Sequence, residues 1–88
     1  MEYHEIIIGR IAALCRQRGL SYNRLAGMSG LRQSTVDNIM RGVSKNPRVK
    51  TLHKLAYAFN MTLSEFLDFP EMNEAVFDEG EDGEESLY

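Results

Sequence analysis

Gly30 stands between two stretches of helical period, and that arrangement limits the folds open to this chain more than any other feature of its 88 residues. Before it, Tyr22 to Met28 follows the N-cap residue Ser21 and turns Leu25 and Ala26 to one side. After it, the stretch GLRQSTVDNIMRG places Val36, Ile39 and Met40 on one stripe. The opposite stripe holds Gln33, Ser34, Asp37, Asn38 and Arg41, a face of amide, hydroxyl and guanidinium groups with no evident partners inside the helix. A solvated surface is the plain explanation of such a face, so its surroundings have to decide.

The same reading carried along the chain gives five short helices up to Asp68. The first runs from Tyr3 to Arg18 with Ile7, Ile11, Leu14 and Cys15 inward, and Gly19 closes it. The Ile6–Ile8 run is β-branched but flows into a helical period without a turn. Asn46-Pro47 breaks the chain after the third helix. A fourth follows from Val49 to Phe59 on Leu52, Leu55, Ala56 and Phe59. Thr62-Leu63-Ser64-Glu65 is a capping box that opens a short fifth helix ending near Pro70. No strand-like segment or internal repeat is visible. The expected fold is all-α, one small domain over residues 1–70. The acidic stretch 71–88 has nothing to bury and is expected to be a disordered tail.

Charge divides along the same boundary. Residues 1–70 hold all ten Lys and Arg against five acids, Glu2, Glu5, Asp37, Glu65 and Asp68, a surplus of five positive charges. Residues 71–88 hold eight acids and no base. A basic body on an acidic tail points to a polyanionic partner for the body. No apolar run is long enough to cross a bilayer, and the Ile6–Leu14 cluster, interrupted by Arg10, lacks the basic leader of a signal peptide. The single cysteine, Cys15, excludes an internal disulfide and a multi-cysteine metal site. Together these features predict a cytoplasmic protein with no membrane association.

A short helix, a turn of three to four residues with glycine, and a second amphipathic helix form the helix-turn-helix pattern. Ala26 supplies the small residue where two helices cross, Gly30 tolerates positive φ in the turn, and Leu31, Val36 and Ile39 lock the inner face of the second helix.

On these residues the chain resembles the Cro and phage-repressor type of helix-turn-helix domain, the XRE family, over roughly Ile7 to Leu67. The family's I-x-x-L-R-x-x-x-G-L-S stands here as Ile11-x-x-Leu14-Cys15-x-x-x-Gly19-Leu20-Ser21. Its L-A-x-x-x-G-[IVL]-S-Q-S-T-[IV] stands as Leu25-Ala26-x-x-x-Gly30-Leu31-Arg32-Gln33-Ser34-Thr35-Val36, and P-x-x-x-T-L-x-x-[IL]-A as Pro47-x-x-x-Thr51-Leu52-x-x-Leu55-Ala56. The resemblance implies a compact five-helix, lambda-repressor-like DNA-binding domain with a central helix-turn-helix. It implies sequence-specific binding of double-stranded DNA, with the third helix in the major groove.

In that docking, the first residues of the third helix reach base edges. Gln33 can pair bidentately with adenine and Arg32 with guanine, and Ser34 and Asn38 share the outward face. Positions resembling the family's phosphate contacts are Tyr22, Asn23, Arg41, Lys45 and Asn46.

The chain departs from the family pattern in four respects. Tyr22 replaces the usual Gln opening helix two. Arg32 replaces the usual Ser N-cap of helix three, a poor cap whose charge opposes the helix dipole. The segment between Gly42 and Pro47 is one residue longer. Cys15 and Met40 stand where many members carry an Arg–Glu pair, which implies that an inter-helix ion pair has become an apolar contact.

His4 and His53 lack Cys or acidic partners at metal spacing and are read as ordinary surface histidines. No metal, cofactor or catalytic constellation is expected, and the chain is read as a transcriptional regulator, a repressor, and not an enzyme. Half-sites one helical turn apart suit a two-fold homodimer, and with no separate dimerisation domain visible its self-association is expected to be weak or to occur only on DNA. Two other readings remain open: an antitoxin whose tail binds a toxin, and a protein-interaction module that works through its acidic tail.

Overall fold

A computed structural model describes residues 2–77. The described residues form six helices and no strand: α1 Tyr3–Arg18, α2 Tyr22–Ser29, α3 Gln33–Met40, α4 Val49–Ala58, α5 Leu63–Leu67 and α6 Pro70–Asn73. Local chemistry accounts for most of their ends. The Glu2 backbone N–H donates to Glu5 Oε1 at 2.7 Å, and Arg16 and Arg18 lie in the last turn of α1, where positive charge suits the carbonyl end of the dipole. Ser21 Oγ accepts the Arg24 N–H at 3.1 Å and starts α2. Gly30, at φ 75°, ends α2 in the left-handed region and lets the Leu31 N–H return to the Ala26 carbonyl at 3.1 Å. The capping box at α5 is present in full: Thr62 Oγ1 accepts the Glu65 N–H at 3.1 Å, and Glu65 Oε1 accepts the Thr62 N–H at 2.8 Å.

Helices α2 to α6, at four to ten residues, are too short to hold their shape in water by themselves, so tertiary burial has to stabilise them. One cluster does so. Ile11, Leu14 and Cys15 of α1 meet Leu25 and Ala26 of α2, Val36 and Ile39 of α3, and Leu52, Leu55 and Ala56 of α4. Phe59 and Phe66 close the cluster with rings stacked 6.2 Å apart. Helix α2 packs on both α3 and α4, α4 packs on α5, and α1 reaches α3 and α6. Cys15 and Met40 belong to the same cluster, Cys15 buried and Met40 partly buried at its edge. Burial pushes the Cys15 thiol above its ordinary pKa.

Three features differ from the sequence expectation. The chain does not stop packing at Pro70. Proline suits the first position of a helix, α6 follows from it, Met72 rests on the core, and Asn73 Nδ2 donates to Asp68 Oδ1 at 2.8 Å. His4 is not a surface histidine but is buried. Its ring lies beside Gly42, where an added Cβ would sit 3.6 Å from His4 Cδ2 and Nε2. That is an ordinary contact distance, so it is the backbone, at φ 76°, and not lack of space that favours glycine at position 42. Arg10, counted above only as a basic charge, closes the domain. Its Nε donates to the Phe66 carbonyl at 2.8 Å and its Nη2 to the Glu65 carbonyl at 2.9 Å, with the guanidinium 4.7 Å from the centre of the Phe69 ring. The first helix is thereby joined to the carbonyl end of α5, where the Glu65 carbonyl also accepts the Asp68 N–H at 3.3 Å.

Replacing Arg10 by Met keeps an apolar stem and removes both donors, so Arg10→Met should lower stability by about 1–3 kcal/mol in urea unfolding. An unfolding curve identical to the parent would show that the two carbonyls gain nothing from the guanidinium. Cys15 is 3% exposed, so Cys15→Arg, which leaves an uncompensated buried charge, should cost about 3–5 kcal/mol. In the parent protein a thiol reagent should react with Cys15 only as fast as the domain opens. Because the folded thiol holds its proton more tightly than the unfolded one, stability should fall as pH rises through the alkaline thiol range, and not below it.

Candidate nucleic-acid interface

Helix α3 is held from behind. Val36 and Ile39 are buried in the core, and Leu31 packs on the same cluster from the turn before it. Ser29, the last residue of α2, is buried with its Oγ donating to the Ala26 carbonyl at 3.0 Å. With its inner face fixed, α3 presents Arg32, Gln33, Ser34 and Asn38, all exposed. Tyr22 and Asn23 are exposed at the start of α2. Arg41, Lys45 and Asn46 are exposed in the segment after α3. That segment is anchored by the Asn38 carbonyl, which accepts the N–H groups of Val43 at 2.9 Å and Ser44 at 3.0 Å. These two bonds tie the start of the loop to the end of α3.

Helix α3 begins at Arg32, whose side chain makes no capping hydrogen bond. The Arg32 carbonyl accepts from Thr35 and Val36, while the side chain stays in solvent. Stability alone favours Ser or Asp at such a position by about 1 kcal/mol.

The outer stripe of α3 is not without partners, as its composition had implied. Gln33 Nε2 donates to Asp37 Oδ1 at 2.9 Å across one helical turn. Such a pair steadies an exposed helix by about 0.2–0.5 kcal/mol. The i,i+4 spacing was the clue to it. Asp37 is half-buried and is the only acidic residue between Glu5 and Glu65. Over the same span lie Arg10, Arg16, Arg18, Arg24, Arg32, Arg41, Lys45, Arg48, Lys50 and Lys54. Among the described residues no Lys or Arg nitrogen lies within 4.0 Å of a carboxylate oxygen; the one basic side chain that comes that near is His4, with Nδ1 4.0 Å from Glu2 Oε1.

The described residues contain no group of three or more His, Cys, Asp or Glu side chains placed to hold a metal ion. No helix among them is long and apolar enough to cross a membrane. A cleft of about 360 Å³ lies between α1 and the Phe69–Glu71 segment, lined by Ile6, Gly9, Ala13, Phe69 and Pro70. It involves none of the α3 residues.

Two short helices crossing at a glycine turn, the second locked inward by aliphatics and polar outward, define a helix-turn-helix domain. The chain belongs to the Cro/C1-type HTH DNA-binding domain family, whose model matches residues 10–71. It is 43% identical over 63 residues to the HTH-type transcriptional regulator SlrR of Bacillus subtilis, covering 70% of this chain and 41% of that protein. It is 37% identical over 62 residues to the HTH-type transcriptional regulator PuuR of Escherichia coli, covering 70% of this chain and 33% of that one. The chain thus spans less than half the length of these two regulators. Among solved structures it is similar to the prophage Lp1 protein 11, with TM-score 0.75 and 34% identity over 85% of this chain and all of the other.

Proposed function

We propose that this chain binds double-stranded DNA sequence-specifically as a transcriptional regulator, laying α3 in the major groove and repressing by occupying its site. The observation that carries the reading is the exposed face of Arg32, Gln33, Ser34 and Asn38, fixed from behind by Val36 and Ile39 in a Cro/C1-type domain. Gln33 and Arg32 carry the hydrogen-bonding groups that complement adenine and guanine edges, with Ser34 and Asn38 on the same face. Tyr22, Asn23, Arg41, Lys45 and Asn46 serve the phosphates and set the register without reading sequence. The protein binds as a homodimer, one α3 to each half-site about 34–36 Å apart, which makes the operator a pseudo-palindrome.

Selection of bound sequences from a random duplex pool identifies the operator, and variants then test the roles. Gln33→Ala should weaken binding to the selected site by about 1–3 kcal/mol and leave nonspecific affinity nearly unchanged. Arg41→Ala and Lys45→Ala should weaken all sequences alike and make the salt slope shallower by about one. Unchanged sequence preference in Gln33→Ala would move recognition to Arg32 or Asn38.

The acidic run that follows Phe77 lies outside the described residues, and its charge competes with phosphates for the basic body. Met72 packs on the core, so the cut that tests this is at 78–88, which removes six of the eight acids and keeps α6. The truncated chain should bind DNA more tightly at low salt, chiefly nonspecifically. That gain should fade once the Debye length falls well below about 10 Å. Equal affinities across the salt titration would reduce the acidic run to a solubilising extension.

A further inference from the structure

We propose that Asp37 is a positioning residue for base selection: its carboxylate fixes the orientation of the Gln33 carboxamide and makes it adenine-selective. The inference rests on the reading of Gln33 as a base reader. It goes beyond that reading by assigning the selectivity to a residue that need not touch DNA.

The chemistry follows from counting donors and acceptors. A Gln amide offers two N–H groups on Nε2 and an acceptor on Oε1, and an exposed amide can turn over to exchange their places. An ionised carboxylate only accepts, so the amide can meet Asp37 with its nitrogen and not with its oxygen. The 2.9 Å hydrogen bond from Gln33 Nε2 to Asp37 Oδ1 therefore fixes which way the amide faces and occupies one N–H. What remains is one donor and one acceptor. That pair complements adenine, which presents the N7 acceptor beside the N6 donor in the major groove. Guanine presents two acceptors there, N7 and O6, and is best served by two donors. A free Gln can offer two donors, but a Gln held by Asp37 cannot. The carboxylate thus works against the competing base, which is how a contact gains specificity without gaining affinity.

The charge pattern is the second, independent observation. Asp37 is the only acid between Glu5 and Glu65, in a span with ten Lys and Arg, and no Lys or Arg among the described residues pairs with it. A carboxylate on a face that meets phosphates weakens binding to every duplex alike. A gain in the ratio between sequences offsets that loss.

Binding of the full chain is measured on duplexes carrying each base at every position of the selected operator, at one fixed salt concentration. Gln33→Ala first marks the position that Gln33 reads, as the one whose preference it erases. At that position Asp37→Ala should lower the adenine-to-guanine ratio about three- to tenfold, part of the discrimination a bidentate contact supplies. Ratios at the other positions should hold while all duplexes bind more tightly. Asp37→Glu, which keeps an acceptor one turn away, should retain the ratio better than Asp37→Ala. An unchanged ratio in Asp37→Ala overturns the proposal, as does a Gln33 position that prefers guanine in the parent protein. A loss of preference spread evenly over all positions, accompanied by a lower melting temperature, overturns it in favour of simple helix support. If Gln33→Ala erases no preference anywhere, Gln33 is not a reader, and the proposal is overturned together with the assignment it rests on.

Discussion

One shared apolar cluster holds the six helices together, and the five after α1, at four to ten residues, are too short to persist in water without it. Leu25 and Ala26 sit at the centre of this dependence. Helix α2 carries both, packs on α3 and α4 together, and is only eight residues long. A small side chain at Ala26 lets the helices approach, and its carbonyl receives the Leu31 N–H that returns after Gly30. The turn is thus fixed by a backbone hydrogen bond and a left-handed glycine, and the core holds what the turn sets.

Fixing the inner face of α3 has a direct consequence for its outer face. With Val36 and Ile39 buried, period alone places Arg32, Gln33, Ser34 and Asn38 outward on a rigid rod. The loop that follows is tied to the same rod through the Asn38 carbonyl. Rigid presentation matters for reading DNA, since a side chain on a fixed backbone loses less freedom on binding. The surface also shows where stability gives way to another demand. Arg32 sits at the α3 N-cap without capping it, and the basic side chains of the body have no acidic partners among the described residues. A protein shaped by stability alone has no reason to leave both in place, whereas a domain that binds a polyanion does.

The helix boundaries were legible because their causes are local. Ser21, Thr62 with Glu65, Gly19 and Gly30 act on backbone groups within a few residues, and the spacing of the apolar residues marks the buried stripe of each helix. The candidate site was legible for the same reason, since knowing which side of α3 is apolar states which side is not. The Gln33–Asp37 hydrogen bond was within reach at i,i+4, but both residues looked like independent members of a polar stripe.

Other features belong to the tertiary structure alone. Arg10 looks like one more basic residue until its partners, the carbonyls of Glu65 and Phe66, arrive from the far end of the domain. His4 looks like a surface histidine until Gly42 packs beside its ring, and Met72 looks like part of an acidic run until the core offers it a place. The sequence by itself determined the first five helices, the caps at Ser21, Gly30 and Thr62, the inward and outward faces of α3 and the excess of positive charge, because each follows from short-range periodicity and composition. Only the tertiary structure decided which polar groups of the body became structural and how far the chain stays packed, because those contacts join residues that no local pattern relates.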